Sequence, residues 1–149
     1  MIAVDTNLLV FAHRSQTPEH KEAKAAIEKA SLSSEGWGWT LTNLLEFWSI
    51  VTHPAAPPRP STPAEASAFL QALVRDADAK IWLPNEGFDR RLIQLASRLR
   101  VSGPRIFDLT IALTAFEAGA REIWTHDLRF QSIPGLRTVF PLTPSADEP

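Results

Sequence analysis

The chain has no cysteine among its 149 residues. That excludes a disulfide framework and any thiolate metal centre, and it fits a reducing, cytoplasmic setting. Long apolar runs are missing as well. Asp5 interrupts the first one, and Leu8–Ala12 is too short for the apolar core of a secretory signal. Nothing approaches the roughly 18 apolar residues that a membrane span needs. The expectation is a cytoplasmic protein without membrane contact. Charge of one sign is lacking too. The net charge is −2, so the whole molecule does not read as a polyanion binder. Yet 11 of the 15 basic residues are arginine, and arginine grips phosphate bidentately where lysine offers a point charge. Arginines rimming an acidic centre would hide a nucleic-acid footprint in that net charge. A plainly solvated arginine surface would look the same.

The length suits one domain with a real core. Five short apolar segments read as strands: Ile2–Val4, Trp37–Leu41, Lys80–Leu83, Glu122–Thr125 and Thr138–Phe140. Each is bounded by turn or polar residues, as buried strands of a parallel sheet are. Between them lie helical patterns over Glu19–Ala30, Ala64–Ala77, Phe88–Arg100 and Leu109–Ala118, the last stopped by Gly119. Alternating strands and helices predict an α/β fold with a mostly parallel five-stranded sheet. The stretch His53–Pro63 carries five of the twelve prolines. It can be neither helix nor central strand and reads as a stiff loop inside the domain. Val101–Phe107 is expected to run partly extended ahead of the last helix. Residues 1–142 form the expected domain, and 143–149 an expected disordered tail.

Four acids stand where these elements begin or end: Asp5, Glu46, Asp108 and Asp127. In open α/β sheets, ligands bind beyond the carboxyl ends of the strands. Asp5 follows the first strand directly, Asp127 follows the fourth, Glu46 is expected in the first turn of the helix after the second, and Asp108 opens the helix that feeds the fourth. Each has a plainer reading. Asp5 or Thr6 can introduce a helix, Asn43 and Glu46 fit a capping box loosely, Asp108 can be an N-cap, and Asp127 a turn residue. Their neighbours sharpen the choice. Asp5, Glu46 and Asp108 are flanked by large apolar residues, and carboxylates in such settings are costly unless paired or metal-bound. Arg105 and Arg129 are the arginines that could pair them. Clustered carboxylates otherwise repel and hold protons more tightly unless a cation joins them.

The segments VDTNLLVFA, LLEFWSIVTHP before the proline-rich loop, IFDLTIALTAFEAGA and WTHDLRFQSIPGL, in that order, resemble a PIN-domain ribonuclease. More narrowly, they resemble the VapC toxins of VapBC toxin–antitoxin pairs. The resemblance spans about residues 1–142. It implies a three-layer PIN fold, a central sheet flanked by helices, and cleavage of RNA that needs Mg²⁺ or Mn²⁺. By the same resemblance Asp5, Glu46, Asp108 and Asp127 are the metal-binding catalytic acids, and Thr6, Asn7 and Thr125 the polar residues that steady them. For Thr6 a helix start is the competing role. Homodimerisation and a cognate VapB-like antitoxin, whose C-terminal segment occupies the active-site groove, are also implied. Arg14 and Arg129 are candidate phosphate contacts, with surface placement as the alternative. His126, between Thr125 and Asp127, reads as a solvent-facing loop residue, as do His13 and His53.

Oxygen-only ligands suit Mg²⁺, and the implied chemistry is hydrolysis leaving a 5′ phosphate and a 3′ hydroxyl. It needs no nucleophilic side chain, in keeping with the missing cysteine and the missing GxSxG elbow. Two other functions share the fold: an RNA-processing nuclease without an antitoxin, and a noncatalytic RNA- or protein-binding module. A module of that kind has no need of four clustered carboxylates. A phosphatase with an aspartyl nucleophile at Asp5 fits poorly, because VDTN lacks a second aspartate two residues on.

Overall fold

The computed structural model describes residues 1–142, and the tail expected over 143–149 lies outside the described residues. The strands are β1 (Ile2–Val4), β2 (Trp37–Thr40), β3 (Lys80–Trp82), β4 (Glu122–Trp124) and β5 (Arg137–Val139). They form one sheet in the order β3-β2-β1-β4-β5. Every pairing is parallel. Each strand is found where the apolar segments placed it, with ends moved by at most one residue. Six helices connect them: α1 (Thr6–His13), α2 (His20–Ser31), α3 (Leu41–Val51), α4 (Pro63–Ala77), α5 (Phe88–Arg98) and α6 (Arg105–Glu117).

Successive strand residues point to opposite faces, and both faces are covered. Val4 and Trp124 join a core with Leu8, Ala23, Ile27, Phe47 and Leu70 from α1–α4. Ala3 and Ile123 join a second core with Leu95 of α5 and Leu109, Ala112 and Leu113 of α6. The result is the helix–sheet–helix layering of an α/β fold. The sheet also requires a glycine at one place. A Cβ on Gly38 would lie 2.1 Å from the Lys80 carbonyl oxygen across the β2–β3 pairing, so only glycine permits that approach.

Two helix starts differ from expectation, and both matter for the site. Helix α3 is capped by Thr40, whose hydroxyl accepts from the Asn43 backbone N–H while the Asn43 side chain returns to the Thr40 N–H. The box is therefore Thr40–Asn43, one turn ahead of the loose Asn43–Glu46 reading, and Glu46 lies in the second turn with its carboxylate uncommitted to capping. Helix α6 begins at Arg105 after Pro104. Proline's fixed φ suits a helix entrance, so Asp108 is a residue of the first turn and not the N-cap, and only Val101–Pro104 lies outside the helix. Gly119, at φ +106°, ends α6. Its N–H donates to Phe116 and that of Ala120 to Ala115, which closes the expected glycine stop.

Chain order places β1 to β3 running outward on one side, then returns to set β4 against the other flank of β1. The crevice between β1 and β4 is thus the switch point where open parallel sheets bind ligands. No helix among the described residues is long and apolar enough to cross a membrane.

Candidate active site

Asp5 leaves the carboxyl end of β1 at this switch point, its N–H bonded to the Trp124 carbonyl of β4. It caps α1 through Oδ1, which accepts from the Thr6 N–H at 2.8 Å. Oδ1 also accepts from Asn43 Nδ2 at 3.2 Å, and Oδ2 accepts from the Thr125 hydroxyl at 2.7 Å. Only 7% of the residue is exposed. Burial raises its pKa to about 6, opposed by the bonds from Thr125 and Thr6 and reinforced by repulsion from Asp108 and Asp127. The cap reading holds, since one oxygen faces the helix, while the other faces the end of β4.

Asn43 is the hub that sequence reasoning left out of the site. Its Oδ1 accepts from the Thr40 N–H and hydroxyl. Its Nδ2 donates to both Asp5 and the Thr6 hydroxyl. The Thr6 hydroxyl in turn donates to Glu46 Oε1 at 3.3 Å. The Glu46 carboxyl is pushed above its ordinary value, first by burial and then by repulsion from Asp5. The available signal was Thr40 and Asn43 in TLTN, polar residues three apart ahead of the apolar run LLEFW.

Thr125 does the corresponding work on the other flank. Its oxygen accepts from Asn7 Nδ2 and from the Asp127 N–H, while Asn7 Oδ1 holds the His126 N–H. Asp127 Oδ1 accepts from the Arg129 N–H at 2.9 Å. Asp108 Oδ2 accepts from the Gln131 N–H at 3.2 Å. Arg105 bridges these last two acids: Nη1 donates to Asp108 Oδ2 at 2.8 Å and to Asp127 Oδ2 at 3.1 Å. One continuous run of hydrogen bonds therefore joins Glu46, Thr6, Asn43, Asp5, Thr125, Asp127, Arg105 and Asp108.

The structure thus brings Asp5, Glu46, Asp108, Asp127, Thr6, Asn7 and Thr125 to one edge of the sheet. Arg14 it places elsewhere. The residue is 9% exposed and its guanidinium donates to the carbonyls of Val51 and Arg59, so it clamps the proline-rich loop and is not free to meet phosphate. Arg129 lies at the exposed rim and serves Asp127 through its backbone. His126 is half-buried, its ring edge-on to Phe11 at 5.7 Å, and its Nδ1 has no partner among the described residues. His13 is likewise turned inward, onto Phe47, Phe69 and the Ser61 hydroxyl, and burial lowers its pKa. Only His53 keeps the expected exposed position.

The donors in the site are oxygens alone, as Mg²⁺ and Mn²⁺ prefer. A cationic group already stands between two of the acids in the form of Arg105. In those respects the residues fit a divalent ion. As they stand, no three acidic or histidine side chains among the described residues are close enough together to hold one.

Residues 2–136 match the PIN domain family. Ribonuclease VapC43 of Mycobacterium tuberculosis is 30% identical over 95% of this chain and 96% of its own length. The fold is similar to that of Mycobacterium tuberculosis VapC20, described as a toxin that cleaves the sarcin–ricin loop. The TM-score is 0.65 at 15% identity, covering 87% of this chain and 92% of that one. It is also similar to a chain of VapBC2 from Rickettsia felis, solved on a DNA fragment from its promoter. There the TM-score is 0.64 at 17% identity, covering 93% and 98%.

Proposed function

This chain belongs to the PIN-domain family, among its VapC ribonucleases, and from that premise we propose that it is a Mg²⁺-dependent endoribonuclease, the toxin of a toxin–antitoxin pair. The observation that carries the proposal is the run of hydrogen bonds converging on Asp5. A carboxylate this buried is costly to keep charged, yet three neutral donors aim at it, the Thr6 N–H of α1, the Asn43 amide of α3 and the Thr125 hydroxyl just past β4. That investment makes sense where the charge is used.

Asp5 and Glu46 supply oxygens from one side of the crevice and Asp108 and Asp127 from the other. Thr6, Asn43 and Thr125, the last held by Asn7, orient Asp5 and Glu46, as partners one layer out from a metal do. When bound, the ion supplies charge that lowers the pKa of an attacking water and offsets charge on the phosphodiester. The Arg129 side chain, at the rim, is available to an RNA phosphate. Mn²⁺ fits the same donors. The VapBC2 neighbour was solved bound to a DNA fragment from its promoter, which supports a VapB-like partner for this chain, and the homodimer common to the family goes with the same reading.

The test is cleavage of a mixed structured-RNA pool by wild type and Asp5→Asn, in Mg²⁺, Mn²⁺ or EDTA. Cleavage that requires both metal and Asp5 is expected. Cleavage at the wild-type rate by Asp5→Asn would sink the assignment. One observation favours a second reading, the noncatalytic module: Arg105 already neutralises two of the four acids. A folded wild type that neither cuts RNA nor binds metal would establish that reading instead.

A further inference from the structure

Arg105 is the one member of the site that a metal-dependent reading leaves unexplained. Its single Nη1 bridges Asp108 and Asp127, a position that a divalent ion held by those carboxylates would have to share. We propose that Arg105 is the resident counter-ion of the metal-free site, and that a divalent ion enters by exchange, displacing the guanidinium from both acids. The proposal rests on the metal-dependent reading and adds how that site is kept closed.

Three features of the geometry support exchange over a fixed ion pair. First, each carboxylate keeps a neutral donor once the guanidinium leaves. Asp108 retains the Gln131 N–H and Asp127 retains the Arg129 N–H. The acids are therefore positioned independently of Arg105. Second, Arg105 is the first residue of α6 and its side chain is 37% exposed, so it can swing into solvent without opening the core. The guanidinium has no other hydrogen-bond partner among the described residues. Third, arginine cannot lose its proton at any useful pH. It can stop competing only by moving. The contrast with Asp5 is direct, since that acid is held by neutral groups that do not compete with a cation.

Exchange makes Arg105 a brake on metal affinity. An opposite charge in contact shifts a carboxylate equilibrium by one to three decades. At a partly exposed position the lower end applies, so Arg105→Gln should bind divalent ions roughly tenfold more tightly. Arg105→Lys keeps a competing charge and should stay nearer wild type.

The experiment measures Mn²⁺ binding by electron paramagnetic resonance of the free ion for wild type, Arg105→Gln and Arg105→Lys. In parallel, ¹⁵N-arginine side-chain NMR follows the Arg105 Nε–H signal of wild type through an Mg²⁺ titration. Tighter binding by Arg105→Gln, with an Arg105 signal that shifts in step with occupancy, is the expected result. Equal or weaker binding by that variant overturns the exchange, as does an Arg105 signal that stays fixed while Mg²⁺ binds. In both of those cases the metal-dependent reading survives. If neither protein binds metal, that reading fails and the exchange fails with it.

Discussion

The two halves of the site solve the same electrostatic problem in opposite ways. Asp5, just past β1, and Glu46, on α3, sit among neutral donors, the Thr6 amide, the Asn43 amide and the Thr6 and Thr125 hydroxyls. Asp108 and Asp127 sit at the rim, with side chains 20% and 39% exposed, and share a guanidinium. Neutral donors orient a carboxylate and leave its charge in place. A cationic donor cancels the charge and occupies the ligand position. The first arrangement is rigid and energetically burdened, and it stays open to a metal. The second is relaxed and, on the proposed exchange, is cleared before a metal is held. A site with both has a fixed anchor and a removable stopper.

The largest expected effect separates the anchor from the rim. Asp5→Asn should lower RNA cleavage at least about a hundredfold, beyond the 10- to 100-fold loss typical when only a supporting partner is removed. Asp127→Asn should lose less, because its place at the rim is the more solvent-exposed. Single-turnover rates in saturating Mg²⁺ measure both, and equal losses would mean that the halves are equivalent.

Next in size come the supports. Asn43→Ala removes the donor to Asp5 and the acceptor for Thr40, and should weaken Mn²⁺ binding about 10- to 100-fold. It also strands the buried Thr40 N–H, at a cost of about 1–3 kcal/mol. This change and Arg105→Gln should therefore move metal affinity in opposite directions. If both weaken it, the division into anchor and stopper is wrong.

A pH effect follows from burial. The folded-state pKa of Asp5 is raised to about 6 from 3.8, so between those values the folded state holds more protons than the unfolded state. Stability then falls as pH rises through that window and stays low above it. The shift of about two units corresponds to about 3 kcal/mol at neutral pH. In EDTA, wild type should melt higher at pH 5 than at pH 7.5, and Asp5→Asn should melt about 10 °C above wild type at pH 7.5. That gap should shrink to about half at pH 5 and close only below the unfolded value of 3.8. Melting curves with the same gap at both pH values would show that Asp5 is not burdened by its charge. Glu46, raised for the same reasons, works in the same direction.

The anchor was easier to read from sequence than the stopper. Asp5 follows a strand at a fixed offset, and β1 and β4 announce themselves as short apolar runs, so topology alone sets Asp5 and Asp127 at one edge. Glu46 and Asp108 were found despite helix starts misjudged by a few residues, because a helix keeps its faces when its first turn is extended. Asn43 escaped because capping chemistry explained it fully, although the side chain performs both tasks. Arg105 could be named as a possible partner, but only coordinates show one nitrogen between two acids. The burial of Arg14 and the inward turn of His13 depend on where the proline-rich loop folds back, and no local pattern encodes that.

The smallest expected effect tests how the rim is built. Arg129 contributes its backbone N–H to Asp127, while no hydrogen bond of its side chain is found among the described residues. Arg129→Gln should therefore keep Mn²⁺ affinity within about twofold, as exposed charges commonly do. Arg129→Pro deletes the N–H itself and should loosen Asp127, weakening Mn²⁺ binding by several-fold within the range known for supporting partners. The pair isolates main chain from side chain at one residue. If Gln weakens metal binding as much as Pro, the guanidinium has a role at the metal that the geometry does not reveal. If Gln spares metal binding and raises only the KM for RNA, the side chain is a phosphate contact, and the rim divides its work between holding the acid with backbone and meeting the substrate with charge.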